Sequence, residues 1–152
     1  MQIKTIHPMH VFCFETKTTL HDILQYVRVV AQRLHKDAIK LDLEITGPVY
    51  WIYEGADGQM DTVFSLTIAL PVSPREAEIS GSVFKLKTLD AFRCISHTHE
   101  GAWENLGQTY GQLFSEIQVK EPATSGENRE IYLNMDFDNP AGNITEVQIG
   151  LI

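Results

Sequence analysis

A carboxylate and a phenol stand two residues apart in the segment 129–136, REIYLNMD. Apolar and polar residues alternate along this segment, which predicts a β-strand with Glu130 and Tyr132 on one face and Ile131, Leu133 and Met135 on a core face. A carboxylate among aromatic rings is poorly solvated, so its pKa should rise, and an organic cation could compensate its charge. The question is therefore whether this face borders water or a binding pocket.

A second apolar segment, YWIY at 50–53, indicates which alternative applies. We align Tyr50 with Glu130 and Ile52 with Tyr132, 80 positions apart. This alignment places all four side chains on the same face of the predicted sheet. Trp51 then falls on the opposite face, which we take to be the core face under the helices. A solvated strand face would not carry Tyr50 and Ile52, whereas a covered or concave face would. We therefore predict a groove on the sheet face away from the helices.

Six residues are predicted to form this ligand site. Aromatic walls accept flat apolar molecules and attract cations through the negative ring faces. Such a groove would bind lipophilic compounds, either cationic or neutral and aromatic. The predicted site residues are Glu130, Tyr132, Tyr50, Ile52, Trp103 and, at the mouth, His99.

Other groups of chemically active side chains are weaker candidates. His97 and His99 lie two apart and share a strand face, but no further cluster has the spacing of metal ligands. The sequence therefore predicts no metal and no cofactor. Asp136 and Asp138 lie in a segment with Pro140, which does not fit a calcium loop and is typical of a hairpin turn. No serine nucleophile motif is present.

Composition and charge narrow the classes of partner. The chain has 152 residues and a formal net charge of −8, with 20 acidic against 12 basic residues. Direct binding to nucleic acid is disfavoured, because it needs clustered Lys and Arg. The sequence shows neither a signal peptide at its start nor an apolar run long enough to span a bilayer, so we expect a cytoplasmic protein with no membrane contact.

The order of elements indicates a duplicated α+β fold. A strand, a helix and an antiparallel hairpin occur in residues 1–72 and again in 83–152, with a polar linker at 73–82. The first helix should start near Thr19, because Leu20, Ile23, Leu24, Val27, Ala31 and Leu34 recur at helical spacing. The second carries Trp103, Leu106, Tyr110, Leu113, Phe114 and Ile117 on one stripe, where we expect Tyr110 to be core. Two such units would share one antiparallel sheet about a pseudo-twofold axis, forming a single domain with the groove at their junction.

These residues resemble the GyrI-like small-molecule-binding family, which includes effector-binding domains of AraC-type and MerR-type multidrug regulators. The similar parts are a helix start at Gly101 and Trp103, the E-x-Y strand at Glu130 and Tyr132, and the final strand from Thr145 to Gln148. The family usually has proline where this chain has Gly150. The resemblance implies an aromatic pocket between the two halves with Glu130 at its centre. Because no DNA-binding segment precedes these motifs, unlike in the regulators, we expect a member that stands alone.

Three functional hypotheses follow from the sequence. The first is a module that binds lipophilic small molecules, with Glu130 as the charged anchor. The second is a hydrolase of electrophilic small molecules that uses Glu130 as general acid or base in the same groove. The third is a regulator that binds a protein partner, similar to the gyrase-inhibiting members, and a homodimer is also possible.

Overall fold

The computed structural model describes residues 1–120 and 122–152, and contains eight strands and two main helices. The strands are β1 (Gln2–Ile6), β2 (Met9–Thr18), β3 (Tyr50–Glu54), β4 (Phe64–Pro71), β5 (Lys85–Leu89), β6 (Phe92–Glu100), β7 (Thr124–Asn134) and β8 (Ile144–Leu151). The helices are α1 (Val29–Lys40) and α2 (Leu106–Lys120). All strand pairs are antiparallel, which confirms the predicted α+β class.

The sheet has the order β1-β6-β8-β7-β3-β4-β2-β5, which reads symmetrically from its centre. The predicted hairpins β3–β4 and β7–β8 lie at the middle, and β3 pairs with β7 across the junction of the halves. The leading strands are exchanged, since β1 pairs with β6 and β5 pairs with β2. Each half of the sheet is therefore completed by a strand from the other half. The repeat boundaries 1–72 and 83–152 remain a prediction.

Both helices cover the same face of the sheet. Trp51 packs in one cluster with Val30 and Leu34 of α1, while the side chain of Glu130 contacts Tyr110 of α2. Trp51 and Glu130 are cross-strand partners, and such partners point to the same face. The junction of the halves is therefore covered by helices on the face that carries Glu130.

The first helix is shorter than its hydrophobic pattern predicts. Residues Ile23–Tyr26 form a separate 3₁₀ turn, and α1 begins only at Val29. Arg28 lies between them with φ of +69°, a conformation that interrupts a right-handed helix and is uncommon for a residue with a side chain. The hydroxyl of Thr19 accepts a hydrogen bond from the backbone N–H of Asp22 at 3.2 Å, in the turn that precedes the 3₁₀ segment and not at the start of α1.

The strand β7 loses its regular alternation near its end. Its pairing with β8 shifts register between Tyr132 and Asn134, and the strand ends at Asn134. Leu133 is 50% exposed and Met135 is 42% exposed, so the prediction that both are core residues alongside Ile131 is wrong. A register shift places residues on the other face from that point on, because strand side chains alternate strictly.

Candidate ligand-binding site

The carboxylate of Glu130 lies at the centre of three phenols. Its Oε1 accepts hydrogen bonds from the hydroxyls of Tyr132 at 2.6 Å and Tyr53 at 3.2 Å, and its Oε2 accepts one from Tyr110 at 2.6 Å. The donors come from β7, β3 and α2, so both halves of the chain contribute. This arrangement fixes both carboxylate oxygens in the protein interior.

Burial and hydrogen bonding act in opposite directions on this carboxylate. Glu130 is 7% exposed, and loss of solvation raises its pKa, whereas the hydrogen bonds from Tyr110, Tyr132 and Tyr53 favour the charged form. The net effect is a raised pKa for Glu130. Burial and the neighbouring carboxylate also raise the pKa of all three phenols well above the ordinary tyrosine value, which keeps them as protonated donors.

A cavity of about 500 Å³ borders this carboxylate, between α1 and the sheet. We call it the aromatic cavity because a chain of contacting rings forms much of its wall. Consecutive ring centroids lie 5.3 Å apart for Phe137 and Trp103, 5.7 Å for Trp103 and Tyr132, and 6.1 Å for Tyr132 and Trp51. Edge-to-face contacts of this kind hold the rings in fixed orientations. The cavity is thus preformed and largely apolar.

The side opposite these rings is formed by the segment before α1 and its first turns. Ile23, Val27 and Ala31 supply apolar surface, and Arg28 and His35 also line the cavity. The guanidinium of Arg28 stacks on Phe137, with its central carbon 3.6 Å from the ring centroid. The unusual backbone of Arg28 therefore directs a cation to the rim of the cavity, where it joins the segment before α1 to the loop after β7.

Three of the six predicted residues line the aromatic cavity. They are Glu130, Tyr132 and Trp103. Trp103 lies in a short 3₁₀ turn before α2, where its indole N–H donates to the hydroxyl of Thr145 at 3.2 Å. The structure brings these three side chains together as the sequence predicted, and the role of each in binding stays a prediction.

Tyr50 and Ile52 lie on the opposite face of the sheet, so their predicted place beside Glu130 is wrong. Tyr50 pairs with Ile131, and Ile52 pairs with Arg129. Both belong to a separate apolar cluster with Val11, Cys13, Ala69 and Leu89. The predicted groove on the sheet face away from the helices is wrong for the same reason, since the aromatic cavity lies on the face with the helices.

His99 is buried near the end of β6, and it does not line the aromatic cavity. Its Nδ1 lies 2.8 Å from the hydroxyl of Thr109, and its Nε2 lies 3.0 Å from the carbonyl oxygen of Ala102. Both ring nitrogens are occupied within the protein. The predicted place of His99 at the cavity mouth is therefore wrong, and the residue connects the strand end to the helix.

Several cavity residues were missed by the sequence analysis. Trp51, Tyr53 and Phe137 line the aromatic cavity, and Tyr110, which was expected to be core, donates to Glu130. One available signal was the spacing of the last strands, which align 79 positions apart, with Pro71 on Gly150. The same offset places Trp51 on Glu130 and Tyr53 on Tyr132, in agreement with the faces observed. No sequence signal predicted Phe137 or Arg28.

The comparison with family models decides the family. The model of the GyrI-like small molecule binding domain matches residues 1–152. The chain belongs to this family. No curated protein sequence matches the chain significantly. The described residues contain no helix long and apolar enough to cross a membrane.

Several solved structures share the fold of this chain at low sequence identity. The C-terminal domain of EcmrR has a TM-score of 0.78 at 15% identity, covering 99% of this chain and 96% of that domain. In the structure of EcmrR in complex with DNA, the match covers 99% of this chain but 56% of the EcmrR chain, again with a TM-score of 0.78 and 15% identity. SAV2435 bound to tetraphenylphosphonium has a TM-score of 0.65 at 15% identity, and the match covers 99% of this chain and 93% of the SAV2435 chain. A hydrolase encoded by lin2189 from Listeria innocua has a TM-score of 0.63 at 15% identity, covering 99% and 91%.

Proposed function

We propose that this GyrI-like domain binds lipophilic aromatic compounds, including organic cations, in the aromatic cavity with Glu130 as the charged anchor. The observation that carries the proposal is the buried carboxylate in the wall of an aromatic-lined cavity of about 500 Å³. Cavities of roughly 300–1,000 Å³ hold drug-sized ligands. The ligand-bound neighbour, SAV2435 with tetraphenylphosphonium, supports this chemical class.

The wall and the carboxylate contribute differently to recognition. The rings of Trp51, Trp103 and Tyr132 offer apolar area to any flat or branched aromatic ligand, with a gain of about 25 cal/mol for each Å² removed from water. The carboxylate adds an attraction that only a cation receives, and ring faces add roughly 0.5–2 kcal/mol for a close cation. Neutral ligands should therefore bind through the wall alone, and cations should bind through both.

The test compares one cation with a neutral molecule of similar shape. Titration calorimetry with tetraphenylphosphonium and with triphenylphosphine oxide measures both affinities for the natural chain and for Glu130→Gln. The variant should weaken the cation at least about tenfold, which is about 1.4 kcal/mol, and leave the neutral compound within about twofold.

A charge-matched control separates the carboxylate from net charge. Glu76→Gln changes the chain's net charge by the same amount at an exposed position that does not line the cavity, and it should bind both compounds as the natural chain does. Equal loss of cation affinity in the two variants, or unchanged affinity in Glu130→Gln, would remove Glu130 from the binding site.

A second candidate is a hydrolase that acts in the same cavity. The observation in its favour is a buried carboxylate with a raised pKa beside three protonated phenols, an arrangement suited to donating or accepting a proton. A structural neighbour from Listeria innocua is described as a hydrolase. An aryl epoxide is a suitable electrophilic probe, and diol formation is the readout. Under this hypothesis Glu130→Gln abolishes turnover while the affinity for triphenylphosphine oxide stays unchanged.

A further inference from the structure

Glu130 borders a second cavity as well as the aromatic cavity. The second cavity measures about 620 Å³. Glu130 and Tyr53 line both cavities and thus form part of the wall that they share. Tyr110 and Phe114 of α2 form a further side of the second cavity, and Asn128 of β7 lies two residues from Glu130 on the same strand face.

The two cavities differ in the charges around them. The aromatic cavity has one carboxylate, Glu130, and two basic side chains, Arg28 and His35, among its lining residues. The second cavity has two carboxylates, Glu130 and Asp57, and the described residues that line it include no Lys, Arg or His. The backbone N–H of Gln59 and the hydroxyl of Thr62 donate to Asp57 at 2.9 and 3.0 Å, and they lower the pKa of its carboxyl. The lining of the second cavity is thus the more negative of the two, with Asp57 exposed to solvent.

The remaining lining groups also fit a compact cation. Tyr53, Tyr110 and Phe114 present aromatic rings, which attract ammonium groups. Asn128 also lines the second cavity, and the oxygen of its side-chain amide is an acceptor type suited to a ligand that donates a hydrogen bond. Within the described residues, Oε2 of Glu130 accepts one hydrogen bond, from Tyr110, whereas Oε1 accepts two, from Tyr132 and Tyr53. Acceptor capacity thus remains on the carboxylate.

We propose that the second cavity is a separate site for compact organic ammonium compounds and that it shares the Glu130 carboxylate with the aromatic cavity. The proposal deepens the proposed function and rests on it for the role of Glu130. One carboxylate neutralises one cation, so a cation in either cavity weakens a cation in the other. A neutral aromatic compound in the aromatic cavity leaves the ammonium site available.

Two matched substitutions can fill one cavity at a time. Gly107 lines the second cavity from α2, and a Cβ placed there meets no atom within 4 Å. Gly107→Leu therefore projects a side chain into free space and replaces glycine by a better helix former. Ala31→Leu is the counterpart on α1, facing the aromatic cavity. Thermal unfolding of each variant serves as the check that it is folded.

The experiment is calorimetric titration of the whole chain with benzyltrimethylammonium and, separately, with tetraphenylphosphonium. We expect Gly107→Leu to weaken benzyltrimethylammonium at least tenfold and Ala31→Leu to change it less than twofold. Saturation with tetraphenylphosphonium should weaken benzyltrimethylammonium at least fivefold, whereas saturation with triphenylphosphine oxide should not. Phe114→Ala is a second test of the site, because Phe114 is 43% exposed and its removal should be tolerated, and it should also weaken benzyltrimethylammonium.

The outcomes separate this inference from the proposed function. If benzyltrimethylammonium does not bind, or is lost in Ala31→Leu and kept in Gly107→Leu and Phe114→Ala, the ammonium site is refuted while tetraphenylphosphonium binding still supports the aromatic cavity. If tetraphenylphosphonium and triphenylphosphine oxide both fail to bind while benzyltrimethylammonium binds and is lost in Gly107→Leu, the proposed function fails and the second cavity remains a binding site.

Discussion

Removing the hydroxyl of Tyr110 should destabilise the protein by an amount that depends on pH. In Tyr110→Phe, Oε2 of Glu130 loses the donor that lies 2.6 Å away, while the ring that packs beneath it is kept. A hydrogen bond to a charged group contributes about 1.5–3 kcal/mol to the free energy of unfolding, and one between neutral groups about 0.5–1.5 kcal/mol. The larger cost applies where Glu130 is ionised, and the smaller one where it is protonated.

The sign of the pH dependence follows from the raised pKa of Glu130. A carboxyl whose pKa is higher in the folded state contributes stability below its unfolded-state pKa, and that contribution is lost as pH rises through the folded-state value. The Tyr110 hydroxyl lowers this pKa, so its removal in Tyr110→Phe raises the pKa further. The free energy of unfolding that is lost between low and high pH is therefore larger in the variant than in the natural chain. The titratable and charged groups around the carboxylate are Tyr53, Tyr132 and Tyr110, with Arg28 and His35 in the lining of the aromatic cavity and Asp57 in that of the second cavity.

Urea unfolding of the natural chain and Tyr110→Phe at pH 4 and pH 8 measures the effect. At pH 8 the loss of about 1.5–3 kcal/mol corresponds to a fall in Tm of about 3–12 °C for a chain of this length. Tyr53→Phe is the matched control, because its bond is 3.2 Å long and Oε1 keeps the donor Tyr132. An equal loss at pH 4 and pH 8, or a greater loss in Tyr53→Phe than in Tyr110→Phe, would show that the carboxylate is not held as described.

Three further predictions concern stability and are measured by urea unfolding. Glu130→Gln should raise the free energy of unfolding at pH 8, because it removes a poorly solvated charge, and the gain should disappear at pH 4; a uniform loss at both pH values would contradict it. Gly150→Ala should cost about 1–3 kcal/mol, because the added Cβ would lie 2.6 Å from the carbonyl oxygen of Glu127 and 2.8 Å from the ring of Phe92. Asp42→Gly should add about 0.5–1 kcal/mol, because Asp42 has φ of +56° just after α1; an unchanged midpoint would show that its backbone is unstrained.

The sequence was sufficient for the fold class and for the position of Glu130 among aromatic side chains. The alternation of apolar and polar residues around Glu130 and the apolar stripe of α2 are local patterns in the sequence. They are predictable because a strand or helix that buries one face must repeat its apolar residues at the matching spacing. The repeat of elements predicted a shared antiparallel sheet, which the strand order confirms. The helix pattern at 20–34 was misleading because the backbone turns at Arg28, and side-chain periodicity carries no signal for a positive φ.

The composition of the cavity wall was only half predictable. An alignment error of one residue between the halves moved Tyr50 and Ile52 to the wrong face, since strand side chains alternate with a period of two. Tyr110 could not be predicted as a hydrogen-bond donor to Glu130, because that contact depends on how closely α2 packs on β7. The spacing of apolar residues along the chain gives no information about this distance. Phe137 and Arg28 meet through two loops that are far apart in sequence.

By itself, the sequence determined that the chain forms two similar α+β units and that Glu130 stands among aromatic residues on one strand face. Local alternation and helical spacing carry this information, because each depends on neighbours a few residues away. Only the tertiary structure decided that the helices cover that same face, that three phenols from separate elements converge on the carboxylate, and that two cavities share it. These features depend on strand register and helix packing, which are set by contacts across the whole chain.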